Sequence, residues 1–388
     1  VISVRKLLIA TDAFLPRWDG VVRTLTELIP GLAESFEITV IAPRFPGREP
    51  DLSKLPISLV RVPTMKLRIS DFNPVMLGIR NYRMVRVAVR DAEVVFCQDI
   101  APIGLMAILA GRGKRVVCYI HCIDWELATK ALSLRSLFAK LSILLVKAVA
   151  RFAYNRADLL IVPSREVGEL LTWNGISTRK AVVHLGVDSS KFHPPESKAE
   201  AKRRIGLKED VLTVGFMPRL GHEKDPLTLL RAFARVRQRF PTAQLLALGD
   251  GETDIIGKFA SQRGVWLLGA QDDVVPYLQA MDVYVLPSLT ETTSLSTLEA
   301  MACGCAVVCT PVGYVREYIE DNVNGMLFPP GNVYQLSKKL AELFEDPYLR
   351  EALGRAARRT VVERFSWVAT LTQVRQLLRG GEHEESDP

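Results

Sequence analysis

The feature that most constrains this chain is a series of short, nearly uninterrupted Val/Ile/Leu segments, each followed by an amphipathic stretch. The series runs twice. In the first half, Lys6–Ala10, Glu37–Ala42, Ile57–Val62, Val94–Cys97, Arg115–Ile120, Leu159–Val162 and Ala181–His184 read as strands. Helical spacing occupies Val21–Glu34, Val75–Arg90, Pro102–Ala110, Leu132–Tyr154 and Arg165–Trp173. Strands apolar on both faces, separated by helices, belong to parallel sheets covered on two sides. The second half repeats this with strands at Leu212–Phe216, Gln244–Leu248, Val265–Leu268, Val283–Leu286 and Ala306–Cys309. Its helices read as Leu227–Arg239, Asp254–Gln262, Val274–Ala280, Ser296–Cys303 and Val333–Phe344. The turn-rich segment Leu185–Glu196, with Gly186, Pro194 and Pro195, separates the halves. The expected organisation is therefore α/β: a domain over 1–187, a second over 188–365, and a segment 366–388 with a helix returning to the first domain and a frayed tail.

Composition excludes other classes. Of 388 residues, 48% are hydrophobic and 24% charged, ordinary globular values. No run reaches the roughly 18 apolar residues of a membrane span, since Lys147 interrupts Leu141–Ala150. Leu7–Ala10 is too short for the apolar part of a secretory signal, so a cytoplasmic protein is expected. The six cysteines sit mostly in apolar runs and read as buried thiols. Cys118-x-x-His121-Cys122 lacks a second ligand pair, and no metal site is assigned.

The net charge of +7 is unevenly spread. Residues 1–190 hold 26 Lys/Arg against 17 Asp/Glu, and residues 191–388 hold 24 against 26. A basic first half suggests an anionic partner there, such as a membrane surface, a phosphorylated substrate or nucleic acid. Thr129–Arg156 carries Lys130, Arg135, Lys140, Lys147, Arg151 and Arg156 without an acid, among Leu, Ile, Val and Phe. Arg61–Arg90 adds seven cations against Asp71 alone. A basic amphipathic helix can lie on anionic lipid, though a solvated basic face on a core helix gives the same pattern. No basic motif is interleaved with aromatics, so no nucleic-acid partner is expected.

Four segments carry candidate chemistry, each at the exit of a predicted strand. In Pro287–Gly304, Glu291 precedes a helix and Glu299 lies about two turns inside it. Between them, Thr293, Ser294 and Leu295 offer backbone N–H groups at a helix N-terminus, a seat for phosphate. Both glutamates could instead merely decorate the helix. In Gly215–Pro226, Arg219 and Lys224 could neutralise a diphosphate, or could be solvated cations on a loop. In Val117–Trp125, His121 and Asp124 could bind a polar substrate, or could be structural. In Thr11–Val22, with Asp12 and Trp18 before it, Gly20 permits close approach of backbone to ligand. No GxGxxG is present, so a dinucleotide fingerprint is missing.

The order of these marks resembles family 4 of the glycosyltransferases, retaining enzymes of the GT-B fold. The resemblance rests on Pro16…Asp19-Gly20-Val21, His121 with Asp124, His184-Leu-Gly186-Val-Asp188…Phe192-His-Pro194, Arg219…Glu223-Lys224, Gly249-Asp-Gly251, and Glu291-x7-Glu299 before Ala300-Met-Ala-Cys-Gly304. It implies two doubly wound Rossmann-like domains facing each other across a cleft. It implies that Arg219 and Lys224 hold a donor diphosphate and that Glu299 accepts ribose hydroxyls. Glu291 and the amides of Thr293–Leu295 would grip the sugar, with Gly249 on the donor side. His121 would contact the sugar and the forming bond, with Asp12, Trp18 and Asp124 on the acceptor side. Asp19-Gly20, where many members carry Gly-Gly, resembles the branch acting on phosphatidylinositol and other glycolipids.

The reaction so implied is metal-independent front-face transfer with no cofactor. No Asp-x-Asp motif is found, and the adjacent Asp272-Asp273 fits base recognition. Asp273 could accept from the N1–H and 2-amino group of guanine, which favours GDP-mannose as donor. It could equally cap the helix that follows. The expected partners are a nucleotide-sugar, an anionic membrane surface and a lipid, lipid-linked or glycan acceptor, with peripheral contact on the cytoplasmic membrane face. The alternatives are a UDP-sugar-dependent enzyme with a soluble acceptor and a sugar-nucleotide 2-epimerase.

Overall fold

The computed structural model describes residues 4–17, 19–45, 49–53, 55–65, 74–125 and 137–381, with side chains of 137–140 excluded. The chain divides into two units, Val1–His184 with Leu371–Pro388, and Leu185–Thr370.

The first unit contains β1 (Arg5–Ala10), α1 (Gly20–Ala33), β2 (Phe36–Pro43), β3 (Ile57–Val62), α2 (Ile79–Asp91), β4 (Val94–Gln98), α3 (Pro102–Ala110), β5 (Arg115–Tyr119), α4 (Leu137–Tyr154), β6 (Leu159–Val162), α5 (Arg165–Trp173) and β7 (Lys180–Val182). The second contains α6 (Lys198–Arg204), β8 (Thr213–Phe216), a 3₁₀ turn (His222–Lys224), α7 (Pro226–Arg239), β9 (Gln244–Leu248), α8 (Thr253–Ser261), β10 (Val265–Gly269), α9 (Val275–Ala280), β11 (Val283–Leu286), α10 (Leu295–Ala302), β12 (Ala306–Cys309), α11 (Val315–Tyr318), β13 (Met326–Leu327), α12 (Val333–Glu345) and α13 (Pro347–Arg364). A last helix, α14, spans Trp367–Arg379.

Every named strand pair is parallel. The first sheet has the order β3-β2-β1-β4-β5-β6-β7 and the second β10-β9-β8-β11-β12-β13. Each order reverses beside its first strand, between β1 and β4 and between β8 and β11. At such a point the outgoing loops part to opposite faces, leaving a crevice at the carboxyl ends of the strands. All four candidate segments leave strands that border these reversals or lie one strand further on.

Local chemistry accounts for the helix starts. Asp19, Ser164, Ser197, Ser294, Asn332 and Asp346 each accept a hydrogen bond from an amide in the first turn of their helix. Helix α2 begins at Ile79 rather than Val75, because Gly78 is extended and Val75 forms an antiparallel bridge to Thr64. Residues 132–136 of the helix expected from Leu132 lie outside the described residues, as do 129–131 of the basic stretch. Helices α6, α11 and α13 and strand β13 are short or weakly patterned and leave no clear periodic signal in the sequence. Within the first unit, Leu371 packs against Gly31, where an added Cβ would lie 2.2 Å from its Cδ2. Arg375 donates to the Gly31 carbonyl at 2.6 Å and pairs with Glu34 at 2.7 Å.

Candidate functional site

In the second unit, the loops after β8 and β11 meet. Lys224 closes the 3₁₀ turn, and Asp225 then takes a left-handed conformation (φ 43°) to cap α7 ahead of Pro226. The turn directs the Lys224 ammonium to Glu291, with Nζ to Oε1 at 2.6 Å. Ser288 donates its hydroxyl to the same oxygen at 2.6 Å. The Leu289 amide donates to the Glu223 carbonyl at 2.9 Å, tying the two loops through backbone. The Glu291 side chain is 5% exposed and that of Lys224 23%, so a nearly buried carboxylate is matched by a cation that still reaches solvent. An ammonium has three donors, and Lys224 spends one on Glu291.

Glu291 is held on its other side by Gly313, which has φ +52°. A Cβ there would lie 1.7 Å from the Glu291 carbonyl oxygen. Thr310 donates to the Ser288 carbonyl at 2.5 Å and fixes the loop further. Gly313, Ser288 and Thr310 were not singled out in the sequence. The one available signal was the Thr-Pro-Val-Gly turn at 310–313 leaving β12.

Helix α10 begins at Leu295, with Ser294 as cap. The cap hydroxyl engages Thr297 Oγ1 at 2.8 Å and Ser296 Oγ at 3.2 Å. Thr293 Oγ1 is buried without a hydrogen-bond partner among the described residues. A buried hydroxyl in that state is one a ligand could satisfy. Glu299 lies in the second turn of this helix, four residues after Leu295, nearer its start than the two turns inferred from sequence. It carries no accessible surface. Arg219 is exposed on the loop after β8. Gly249 follows β9 at φ +109°, donates its amide to the Gly269 carbonyl at 2.7 Å, and would bring a Cβ within 3.2 Å of the Pro218 carbonyl. Asp273 is exposed and accepts from the Val275 amide at 3.1 Å, at the start of α9. Among the described residues, His222, Glu252 and Asp254 bring potential metal-ligand atoms within 4.8 Å of one another.

The first unit gathers different chemistry. His121 leaves β5 stacked on Tyr119, with ring centroids 4.5 Å apart, and its Nε2 lies 2.7 Å from Gln98 Oε1. Burial lowers its pKa to about 3, so the imidazole is neutral at physiological pH. Its backbone amide donates to Asp99 Oδ1 at 2.7 Å. Asp99 holds a left-handed conformation (φ 55°) between β4 and α3. Burial, and secondarily the Asp124 charge, push the Asp99 carboxyl well above its usual range. Asp124 accepts from the Tyr154 hydroxyl at 2.7 Å, and burial outweighs that bond to raise it to about 6. Asp12 accepts from the amides of Ile103 at 2.8 Å and Gly104 at 3.4 Å, at the N-terminus of α3. Burial nevertheless lifts it to about 7. Gln98, Asp99 and Tyr154 went unrecognised in the sequence. Gln98-Asp99 following an apolar strand was the one local sign. Gly20 starts α1, and Asp19 accepts from Val22 at 3.0 Å. A Cβ on Gly20 would meet nothing within 4 Å, so packing does not require glycine there. Trp18 lies outside the described residues.

Two family models cover these two sets of residues. The model for Glycosyltransferase Family 4 matches residues 18–191, and that for Glycosyl transferases group 1 matches residues 197–360. This chain belongs to the family 4 glycosyltransferases. It is 33% identical over 240 residues to the sulfoquinovosyl transferase SQD2 of Arabidopsis thaliana, a match covering 59% of this chain and 46% of that protein. The match thus spans about half the length of that relative. Against the GDP-mannose-dependent alpha-(1-6)-phosphatidylinositol monomannoside mannosyltransferase of Mycolicibacterium smegmatis, identity is 27% over 396 residues, covering 96% of this chain and 98% of that one. Among solved structures, Anabaena Alr3699/HepE in complex with UDP and glucose superposes with a TM-score of 0.78 at 18% identity, covering 97% of this chain and 99% of that one. WaaG, a glycosyltransferase involved in lipopolysaccharide biosynthesis, gives 0.76 at 17%, covering 97% and 100%. The family 4 chain described here therefore has the GT-B fold.

Proposed function

We propose that this chain moves a hexose from a nucleotide-sugar to a hydroxyl acceptor with retention of configuration, without a metal ion. The observation that carries the reading is the second unit's cluster: Lys224 paired with the nearly buried Glu291 beside the N-terminus of α10, with Arg219 on the same strand-exit loop. The bond between anomeric carbon and diphosphate breaks as the acceptor oxygen bonds that carbon from the same face. The acceptor's proton passes to the departing phosphate oxygen. Growing negative charge on that phosphate is the catalytic problem, and fixed donors answer it. Lys224 and Arg219 supply positive charge, and the amides of Thr293–Leu295 and the unpartnered Thr293 hydroxyl supply further donors. Glu291, held by Ser288 and Lys224, is a hydrogen-bond acceptor for sugar hydroxyls rather than a nucleophile. Glu299 serves the ribose. His121, kept neutral by burial, serves the sugar and the forming bond, with Asp12 and Asp124 on the acceptor side. Gly20 leaves room for backbone to approach phosphate.

GDP-mannose is the preferred donor, supported by Asp273 and by the mannosyltransferase relative matched end to end. A UDP-sugar is the second reading, and it has its own observation: the Asp273 carboxylate is already engaged by the Val275 amide. A lipid or lipid-linked acceptor, with peripheral contact at the cytoplasmic membrane face, is favoured by the basic first half and by the same relative. No helix among the described residues is long and apolar enough to cross a membrane.

The test is a panel of GDP- and UDP-sugars, reading released nucleotide with and without EDTA. Release from GDP-mannose, undiminished by the chelator, is the expected result. Release from no sugar nucleotide overturns the transferase reading. Activity lost to EDTA and restored by manganese overturns its metal-free form and directs attention to His222, Glu252 and Asp254.

A further inference from the structure

Helix α4 is apolar on two opposite faces. Ile143, Val146, Val149, Ala150, Ala153 and Tyr154 pack into the first unit's core. On the outer face, Leu141, Leu144 and Leu145 are 64%, 63% and 65% exposed, and Phe152 is 49% exposed. Positions 141, 144/145, 148 and 152 follow helical spacing and form one stripe. The outer stripe is therefore an exposed apolar surface that the first unit's own core does not cover.

The stripe ends at a solvent-open pocket of about 520 Å³ lined by Lys147, Arg151, Phe152, Asn155, Arg156 and Asn174, with no acid in its wall. Among the described residues, no carboxylate pairs with the three cations. Their placement is built into the fold. The Arg156 guanidinium lies 3.5 Å from the Phe152 ring centroid and donates to the Phe152 carbonyl at 2.6 Å. Arg151 lies along Gly175, where a Cβ would meet its Nε at 2.9 Å. Asn155 donates to the Gly175 carbonyl at 3.0 Å. Trp173, next in the chain to Asn174, is 87% exposed. An exposed indole one residue from the pocket's lining suits the boundary of a bilayer, where amphipathic rings settle.

We propose that this pocket binds the phosphate of an anionic lipid headgroup, with the leucine stripe and Trp173 seated at the acyl boundary. A free phosphate would account for the pocket but not for the stripe or the indole. A second copy of the chain would account for the stripe but not for three cations without an acid. The inference rests on the proposed lipid acceptor only in placing the protein at a membrane. Its test uses no sugar nucleotide, so either reading can fail alone.

The full chain is sedimented with vesicles of phosphatidylcholine and of a phosphatidylcholine–phosphatidylglycerol mixture, at low and high salt. Wild type is expected to prefer the anionic vesicles and to lose that preference in salt. Arg151→Gln with Arg156→Gln should weaken anionic binding about 25-fold, roughly five-fold per cation. Arg151→Lys with Arg156→Lys should retain most of it. Trp173→Ala and Leu144→Ser should weaken binding while leaving the thermal melt unchanged. Equal binding to both vesicles, or a double Gln variant that binds like wild type, overturns the proposal. So does full competition by millimolar inorganic phosphate, which would mark a free-phosphate site. So does a Leu144→Ser effect confined to dissociating a dimer.

Discussion

The carboxyl edges of the two sheets solve the problem of buried charge in opposite ways. In the second unit, Glu291 is balanced by Lys224 and by the Ser288 hydroxyl. In the first, Asp12, Asp99 and Asp124 have no Lys or Arg partner among the described residues and rest on amides, a thiol and the Tyr154 hydroxyl. Burial then raises their pKa values and lowers that of His121. One edge keeps full charges ready for an anion. The other holds a neutral imidazole among acids whose ionisation burial opposes, which suits hydrogen bonding to hydroxyls and disfavours a second anion. The same topology thus carries two electrostatic designs, set by which side chains follow the strands.

The contrast is broken most severely at Lys224. Lys224→Ala removes the cation and strands a nearly buried carboxylate, so turnover should fall roughly 1000-fold, with a loss of stability visible in urea unfolding. Glu291→Gln keeps the shape and one acceptor oxygen. Steady-state kinetics should show turnover reduced about 100-fold or more while donor binding, read by calorimetry, persists. A trapped glycosyl–enzyme adduct on any carboxylate would show instead that a nucleophile operates.

Gly313→Ala acts on the same loop without touching a charge. The added Cβ meets the Glu291 carbonyl, at a backbone conformation unfavourable to alanine, and should cost about 2–3 kcal/mol in chemical denaturation. Wild-type stability in this variant would show that the loop yields easily and that Glu291 is not pinned.

The smallest effect tests the first unit. The Asp12 carboxyl is raised to about 7 in the fold, so between about pH 4 and pH 7 the folded chain holds a proton that the unfolded chain releases. This group's contribution to stability is therefore greatest at low pH and falls as pH rises through that window. Asp12→Asn keeps an oxygen for the Ile103 amide and removes the titration. Its urea midpoint should gain on wild type at pH 8 relative to pH 5. An identical pH profile for the two proteins would mean that Asp12 is ionised in the fold at little cost.

Much of the fold was legible because parallel strands buried on both faces leave continuous apolar runs. Ile57–Val62, Gln244–Leu248 and Ala306–Cys309 have the same bounds in sequence and structure. Helix α13 was not legible, since its charged sequence hides a narrow seam of Leu353, Gly354, Ala357 and Val361. Its fit depends on Gly354, where a Cβ would lie 2.2 Å from the Gly304 carbonyl, a contact 50 residues distant in sequence. In the candidate site, Glu291, Lys224 and His121 could be picked out by their place after strands. Ser288, Asp99 and Tyr154 could not, because hydroxyls and lone acids are common in loops and helices.

The sequence by itself determined the alternation of elements, the division near residue 185 and the strand exits at which charged and polar groups stand. Those follow from periodicity, turn residues and the position of each residue along its own segment. Tertiary structure decided which groups share a charge, which acids go without a cation, and that α4 turns leucines outward. Pairing and burial depend on what a distant segment brings alongside, and no local pattern encodes that distance.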